Sequence, residues 1–268
     1  VTPSLVAYSA GRSTPAQATI YRDFPKMLAI HGIVHDAWII QDGTAMHITP
    51  KIEAFLRELF SAPTAGMPYV FDPWNAVSTD DIDPAAVQVR RERLKLHLSA
   101  PAPKLLLVGE APGYQGTRIT GCPFTSEALL LEDGVPRIGK LHGRLTSRRL
   151  PWREPSSTIV WRALREQGLA ECTILWGAFP WHPQGASPLS NRAPKEAEKA
   201  IGAALLRRLL SALPDVTVVA VGNVAADSLR KLGIEAEKIR HPSNGGANAF
   251  RAGLALVAKR LRSHTEQS

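Results

Sequence analysis

Cysteine is nearly absent from this 268-residue chain: Cys122 and Cys172 are the two it has. Two thiols cannot build a disulfide framework, and they are too few for a four-cysteine zinc or iron–sulfur site. They suit a reducing compartment, so a cytoplasmic protein without metal or cofactor is expected. Long apolar runs are missing too. None reaches the roughly 20 residues of a membrane-spanning helix, so no membrane partner is expected. Val1-Thr2-Pro3-Ser4 lacks the basic-then-apolar pattern of a signal peptide. Several catalytic signatures are also absent. Ser187 and Ser190 have no nucleophile-elbow context, and no glycine loop ends in the Lys-Ser/Thr pair that cradles phosphates. His31 and His35 stand at helical metal-ligand spacing but have no third ligand, and they read as structural.

Acidic residues are in short supply as well, 24 against 32 Lys and Arg, which leaves a formal charge of +8. The excess is clustered. Between Gly134 and Pro155 stand Arg137, Lys140, Arg144, Arg148, Arg149 and Arg153 against the single acid Glu154. A second knot is Arg90-Arg91-Glu92-Arg93-Leu94-Lys95. Either could be an ordinary solvated face, but together they point to a nucleic-acid partner.

An apolar fraction of 44% is enough for one sizeable core. Thr49-Pro50 followed by Ile52, Phe55, Leu56 and Leu59 predicts a capped helix. Pro63, Pro68, Pro73 and Pro84 break the next stretch into loop with a short strand, and Asp83-Pro84 opens a basic helix to about Leu98. Residues 20–40 read as a helix and then an extended piece. From there the pattern alternates. Short apolar runs at 104–108, 172–176, 216–221 and 238–240 read as buried parallel strands. Helical patterns at 159–167, 195–213, 223–232 and 249–262 lie between and after them. This predicts one domain over 1–268, a mostly helical N-terminal extension of 1–100 and an α/β core of 101–268. The core is a three-layer α/β/α sandwich around a mainly parallel four-stranded sheet.

Ligands of parallel sheets bind beyond the carboxyl ends of the strands. The site is therefore expected in Gly109-Glu110-Ala111-Pro112-Gly113, in Gly177 to Pro183, and in His241-Pro242-Ser243-Asn244. Each segment alone reads as an ordinary turn. The first and last together, with Gly121-Cys122-Pro123-Phe124 between them, are more specific. Among the tryptophans, Trp161 is expected in the core and Trp181 near the site.

On these residues the sequence resembles the uracil-DNA glycosylase superfamily over roughly Leu105 to Leu261. Gly109–Gly113 is similar to the motif on the water side, His241-Pro242-Ser243 to the histidine motif, and Pro123-Phe124 to the base-stacking segment. Asn191-Arg192-Ala193-Pro194 resembles a turn of the branch that shares the Gly-Glu-Ala-Pro-Gly motif. That branch usually carries a four-cysteine iron–sulfur cluster, which this chain cannot hold. The resemblance implies excision of uracil from single- or double-stranded DNA by a monomer that initiates base excision repair. The alternatives are removal of another deaminated base, hypoxanthine or xanthine, and a non-catalytic module that binds damaged DNA.

The resemblance also implies roles for residues. A neutral His241 donates to the uracil oxygen, and Phe124 stacks on the extruded base. Glu110 orients the water or braces its loop, since the third motif position, acidic or Asn in some branches, is Ala111. Gly109, Ala111, Gly113 and Gly177 line the base. Gly113 stands where one branch uses Tyr to exclude thymine, and Gly177 where the superfamily reads uracil with an Asn, so an Asn at 177 is expected to sharpen uracil selectivity. Ser243, Asn244, Arg148, Arg149, Asn191 and Arg192 are expected on the DNA.

Overall fold

The computed structural model describes residues 38–39, 45–46 and 48–266 apart from 63 and 65. His31, His35 and most of the element expected over 20–40 lie outside the described residues. Two compact units are distinguished, residues 1–45 and 46–268. Two short strands, β1 (Trp38–Ile39) and β2 (Ala45–Met46), pair with each other.

In the second unit, α1 (Pro50–Ser61) begins where expected. Thr49 is its N-cap and accepts a hydrogen bond from the Ile52 N–H at 3.3 Å. The strand β3 (Val70–Phe71) follows, then α2 (Ala86–Leu98). The main sheet consists of β4 (Leu105–Gly109), β5 (Thr173–Gly177), β7 (Thr217–Val221) and β8 (Glu237–Ile239), in the order β5-β4-β7-β8 and parallel throughout. The short strand β6 (His182–Pro183) pairs antiparallel with β3. Short helices α3 (Thr117–Thr120) and α4 (Glu127–Glu132) follow β4, and α5 (Pro155–Glu166) precedes β5. The helices α6 (Glu196–Ala212), α7 (Asn223–Lys231) and α8 (Ala247–Glu266) complete the fold.

The central strands are apolar on both faces because helices cover both. Leu106, Val108, Ile174, Trp176 and Ala220 pack against α1, α2, α6 and α7. Leu105, Leu107, Leu175, Val219 and Val221 pack against α4, α5 and α8. Alternation along each strand thus divides the residues between two buried faces, which gives the expected three layers. Ile52, Phe55, Leu56 and Leu59 of α1 belong to the same core cluster as the sheet.

One expectation for the charged residues is corrected. Arg90 and Arg93 are buried rather than solvated or turned towards a polyanion. Arg90 donates to the carbonyls of Pro73 and Ala76 and is paired with Asp81 at 2.8 Å. Arg93 donates to the Thr120 carbonyl at 3.3 Å. These guanidiniums replace water at loop carbonyls, so Arg90 and Arg93 hold loops onto α2, while Lys95 pairs with Glu92 along the helix.

Candidate active site

From β4 the chain runs on to β5 on one side, and from its other neighbour β7 it runs on to β8 on the opposite side, so the connections leaving the adjacent carboxyl ends of β4 and β7 diverge. This is the position at which parallel sheets bind ligands. A cleft of about 480 Å³ opens there. Glu110, Ala111 and Gly113 after β4, Gly177 at the end of β5, and His241 and Ser243 after β8 all line it. Phe124 closes one wall, and Asn191 and Arg192 reach it from the turn after β6. Of the residues expected at the site, Gly109 lies beneath Phe124, while Asn244, Arg148 and Arg149 are not part of the cleft lining.

The tautomer of His241 follows from its neighbours. The Ser243 N–H donates to His241 Nδ1 at 3.1 Å, and the Ser243 hydroxyl lies 2.7 Å from the same nitrogen. An N–H donor requires Nδ1 to be an acceptor, so the proton of the neutral ring is on Nε2. Burial, with Arg240 as a second cause, lowers the His241 pKa from its ordinary value, which favours the neutral ring. Nε2–H has no partner among the described residues. Ser243, expected on DNA, is thus engaged in orienting the histidine.

Phe124 is held with φ at 50°, in the left-handed region that a bulky residue seldom occupies. Trp161 supports it by donating from Nε1 to the Phe124 carbonyl at 3.0 Å. The ring lies directly over Gly109, where a Cβ would collide with Phe124 Cζ. A flat aromatic platform therefore rests on the end of β4, and Gly109 is required for that close approach.

Glu110 lines the cleft with no side-chain hydrogen bond among the described residues. Burial raises its pKa, and Lys199 opposes the shift. Asn191 is fixed at its oxygen: Oδ1 accepts from the Tyr114 N–H at 3.0 Å and from His182 Nε2 at 3.2 Å. His182 Nε2 also faces the Ser190 carbonyl at 3.1 Å, so it is the donor nitrogen. Asn191 Nδ2 is left to face the cleft beside Gly113. Arg192 makes a two-pronged pair with Glu198, each N–O distance being 2.6 Å, an arrangement that fixes the turn ahead of α6.

Gly177 ends β5 opposite Gly109. A Cβ there would lie 2.7 Å from the Phe179 backbone carbonyl oxygen. Gly177→Asn, expected from sequence to sharpen uracil readout, is obstructed at its first side-chain atom. The substitution is expected to destabilise the fold by about 1–3 kcal/mol and to slow excision without raising the preference for uracil. Urea unfolding together with single-turnover rates on uracil and hypoxanthine checks this. A stable variant with a raised uracil preference would refute the steric argument.

Sequence reasoning missed two groups of residues. Trp74 and Trp176, stacked on each other within the core, form the floor of the cleft, whereas Trp181, expected there, is buried in the same core against Phe179 and is not part of the lining. Glu154 also lines the cleft, yet in the sequence it is only the lone acid of a basic segment. The signal that could have found it is that isolation, directly before a helix-opening proline.

The sequence model of the uracil DNA glycosylase superfamily matches residues 96–263. No curated protein sequence matches the chain. Among solved structures, wild-type SMUG2 of Pedobacter heparinus superposes with a TM-score of 0.55 at 15% identity, over 81% of this chain and 100% of that one.

Proposed function

Because this chain belongs to the uracil DNA glycosylase superfamily, a group of DNA glycosylases, we propose that it hydrolyses the N-glycosidic bond of uracil in DNA and so initiates base excision repair. The observation that carries this reading is the hydrogen bond from the Ser243 N–H to His241 Nδ1, which fixes the donor hydrogen on Nε2 inside the cleft. Breaking the bond between the sugar C1′ and the base leaves positive charge on the sugar and sends the electron pair to the base. An N–H fixed on a neutral ring stabilises the resulting anion without reorganisation. Phe124 supplies the face on which the extruded base stacks. Glu110, on the loop after β4 and without a side-chain hydrogen bond among the described residues, orients the water whose oxygen bonds to C1′ and whose proton passes to solvent. The Asn191 amide donates to the substrate backbone.

DNA is held by the exposed basic segment. Arg148 lies over the Trp152 ring, 4.4 Å from its centre, and Arg149 is exposed beside it. Neutralising both is expected to weaken binding to any sequence and to reduce the salt slope by roughly one unit for each phosphate that the pair neutralises. Titrations at several salt concentrations measure this, and an unchanged affinity and slope would remove the segment from the interface.

The cleft volume favours a second reading, in which hypoxanthine or xanthine is also removed. Release of free base from single- and double-stranded oligonucleotides containing uracil, hypoxanthine, xanthine or thymine tests both readings. Uracil released fastest supports the first. A deaminated purine released fastest replaces it with the second. Binding with no release of any base would make the chain a damage-binding module.

A further inference from the structure

The two exposed arginines of the basic loop differ in what lies beneath them. Trp152 stands two residues before Glu154, which lines the cleft. Its ring meets that of Tyr114 edge to face, with 5.6 Å between the centres, and Tyr114 directly follows Gly113 of the cleft lining. The indole is itself buried, and the Arg148 guanidinium covers it, 4.4 Å from the ring centre. Two ring contacts thus lead from the loop after β4 to Arg148. Among the described residues no ring lies under Arg149.

Arg148 is fixed as well as exposed. Its Nη1 donates to the Leu150 carbonyl at 3.0 Å. Its own carbonyl accepts from Arg144 Nη2 at 2.8 Å, and the Arg149 carbonyl accepts from Arg144 Nη1 at 3.3 Å. Arg144 is in turn anchored on the buried carboxylate of Glu127. Backbone and side chain are therefore both held before a ligand arrives, which lowers the ordering cost of binding. A guanidinium is planar and delocalised, and its faces stack on aromatic rings as an ammonium does not. One side of Arg148 rests on Trp152, and the residue is exposed, so the other side is open to a second ring. In a nucleic acid that ring is a base.

We propose that Arg148, backed by Trp152, is a shelf on which a base flanking the extruded nucleotide stacks, so that the substrate is held as a single strand. This rests on the reading of the chain as a uracil glycosylase with its basic segment on DNA. A base inside a duplex has both faces covered by its neighbours, whereas a base of a single strand can turn one face to the protein. Stacking and charge are separable at this position. Lysine keeps the positive charge that attracts phosphate but has no plane to offer a base.

The test is single-turnover release of uracil from single strands, measured against enzyme concentration at several salt concentrations for the wild-type protein, Arg148→Lys and Arg149→Lys. A second set of strands carries an abasic residue on one side or the other of the uracil, and a third is the duplex. On intact single strands Arg148→Lys should raise the half-saturating concentration roughly 5–50-fold. Its limiting rate should stay within about threefold, and its salt slope should not change, because every charge is retained. Arg149→Lys should stay within about twofold of wild type throughout. Removing the flanking base on one side should cost the wild type what Arg148→Lys costs, and should cost Arg148→Lys almost nothing more. On the duplex, wild type and Arg148→Lys should differ by less than about twofold. Equal half-saturating concentrations on single strands would leave Arg148 only its charge and overturn the proposal. A loss that persists without the flanking base would make it a distortion of the loop, and a loss larger on the duplex would place Arg148 in the gap left by the extruded base; either overturns the shelf. If Arg148→Lys does not fold, the wild-type series decides alone, and indifference to both abasic neighbours overturns the proposal. A wild-type protein that releases no uracil refutes the parent reading and the proposal falls with it, a result distinct from an active enzyme that tolerates lysine.

Discussion

His241→Ala is expected to lower single-turnover base release by about 10²–10³-fold while leaving DNA affinity nearly unchanged. The split follows from what the side chain does. Its Nε2–H faces the cleft and, in the proposed reaction, meets the base oxygen most strongly once the bond to the sugar has begun to break. Binding of the intact substrate, which carries little charge on that oxygen, depends on it little. The acidic limb of the rate should also shift. His241 titrates below its ordinary value because of burial and Arg240, so the neutral donor is in place at pH 7. Protonation of Nδ1 on acidification would set it against the Ser243 N–H. Rates of excision and filter-binding affinities for both proteins give the answer. An unchanged rate in a folded variant would remove His241 from the mechanism.

The second large effect is on stability. Glu127→Ala is expected to cost about 3–5 kcal/mol. Glu127 is fully buried at the start of α4 and accepts from Arg144 Nε at 2.8 Å, the Leu145 N–H at 2.8 Å and the Trp152 N–H at 3.0 Å. It also accepts from the Thr146 N–H at 3.2 Å and the Thr146 hydroxyl at 2.9 Å. One carboxylate thus ties down the whole basic loop from 144 to 152. Burial alone would raise its pKa, but these donors, Arg144 foremost, outweigh burial and hold it below the ordinary value. A depressed folded pKa gives a definite sign. The stabilisation is present above the unfolded value of about 4.3 and is lost as pH falls through the folded value. Urea unfolding at neutral pH and at about pH 3.5 should show a large gap between wild type and variant that narrows in acid. Equal stability at neutral pH would show that the loop orders itself without Glu127.

The core was legible because its signals are local. Four apolar runs had to be strands covered on both sides, and α1 declared itself through Thr49, Pro50 and a four-residue apolar rhythm. The site was legible for a related reason: in a parallel sheet the polar segments after the strands share one edge, so Glu110, Gly177 and His241 could be grouped without knowing their distances. The misses depend on distant partners. Arg90 and Arg93 look like surface charge until the loop carbonyls of Pro73, Ala76 and Thr120 meet them. Trp176 and Trp181 are indistinguishable by composition, and both are buried in the core; strand pleat and turn decide which one underlies the cleft. Glu154 meets Gly113 and Gly116 only in the folded chain, and no periodicity along the sequence records that meeting.

The edge position of β8 has a consequence for biosynthesis. This three-residue strand pairs with β7 alone, and His241 follows it. During synthesis from the N-terminus, Phe124 and its glycine loop emerge long before the histidine. A nascent chain ending before residue 237 lacks both the histidine and α8, whose Phe250, Leu254, Val257 and Ala258 cover one face of the sheet. The cleft is therefore completed late in translation, when the last strand docks and the segment after it brings His241 and Ser243 to the lining.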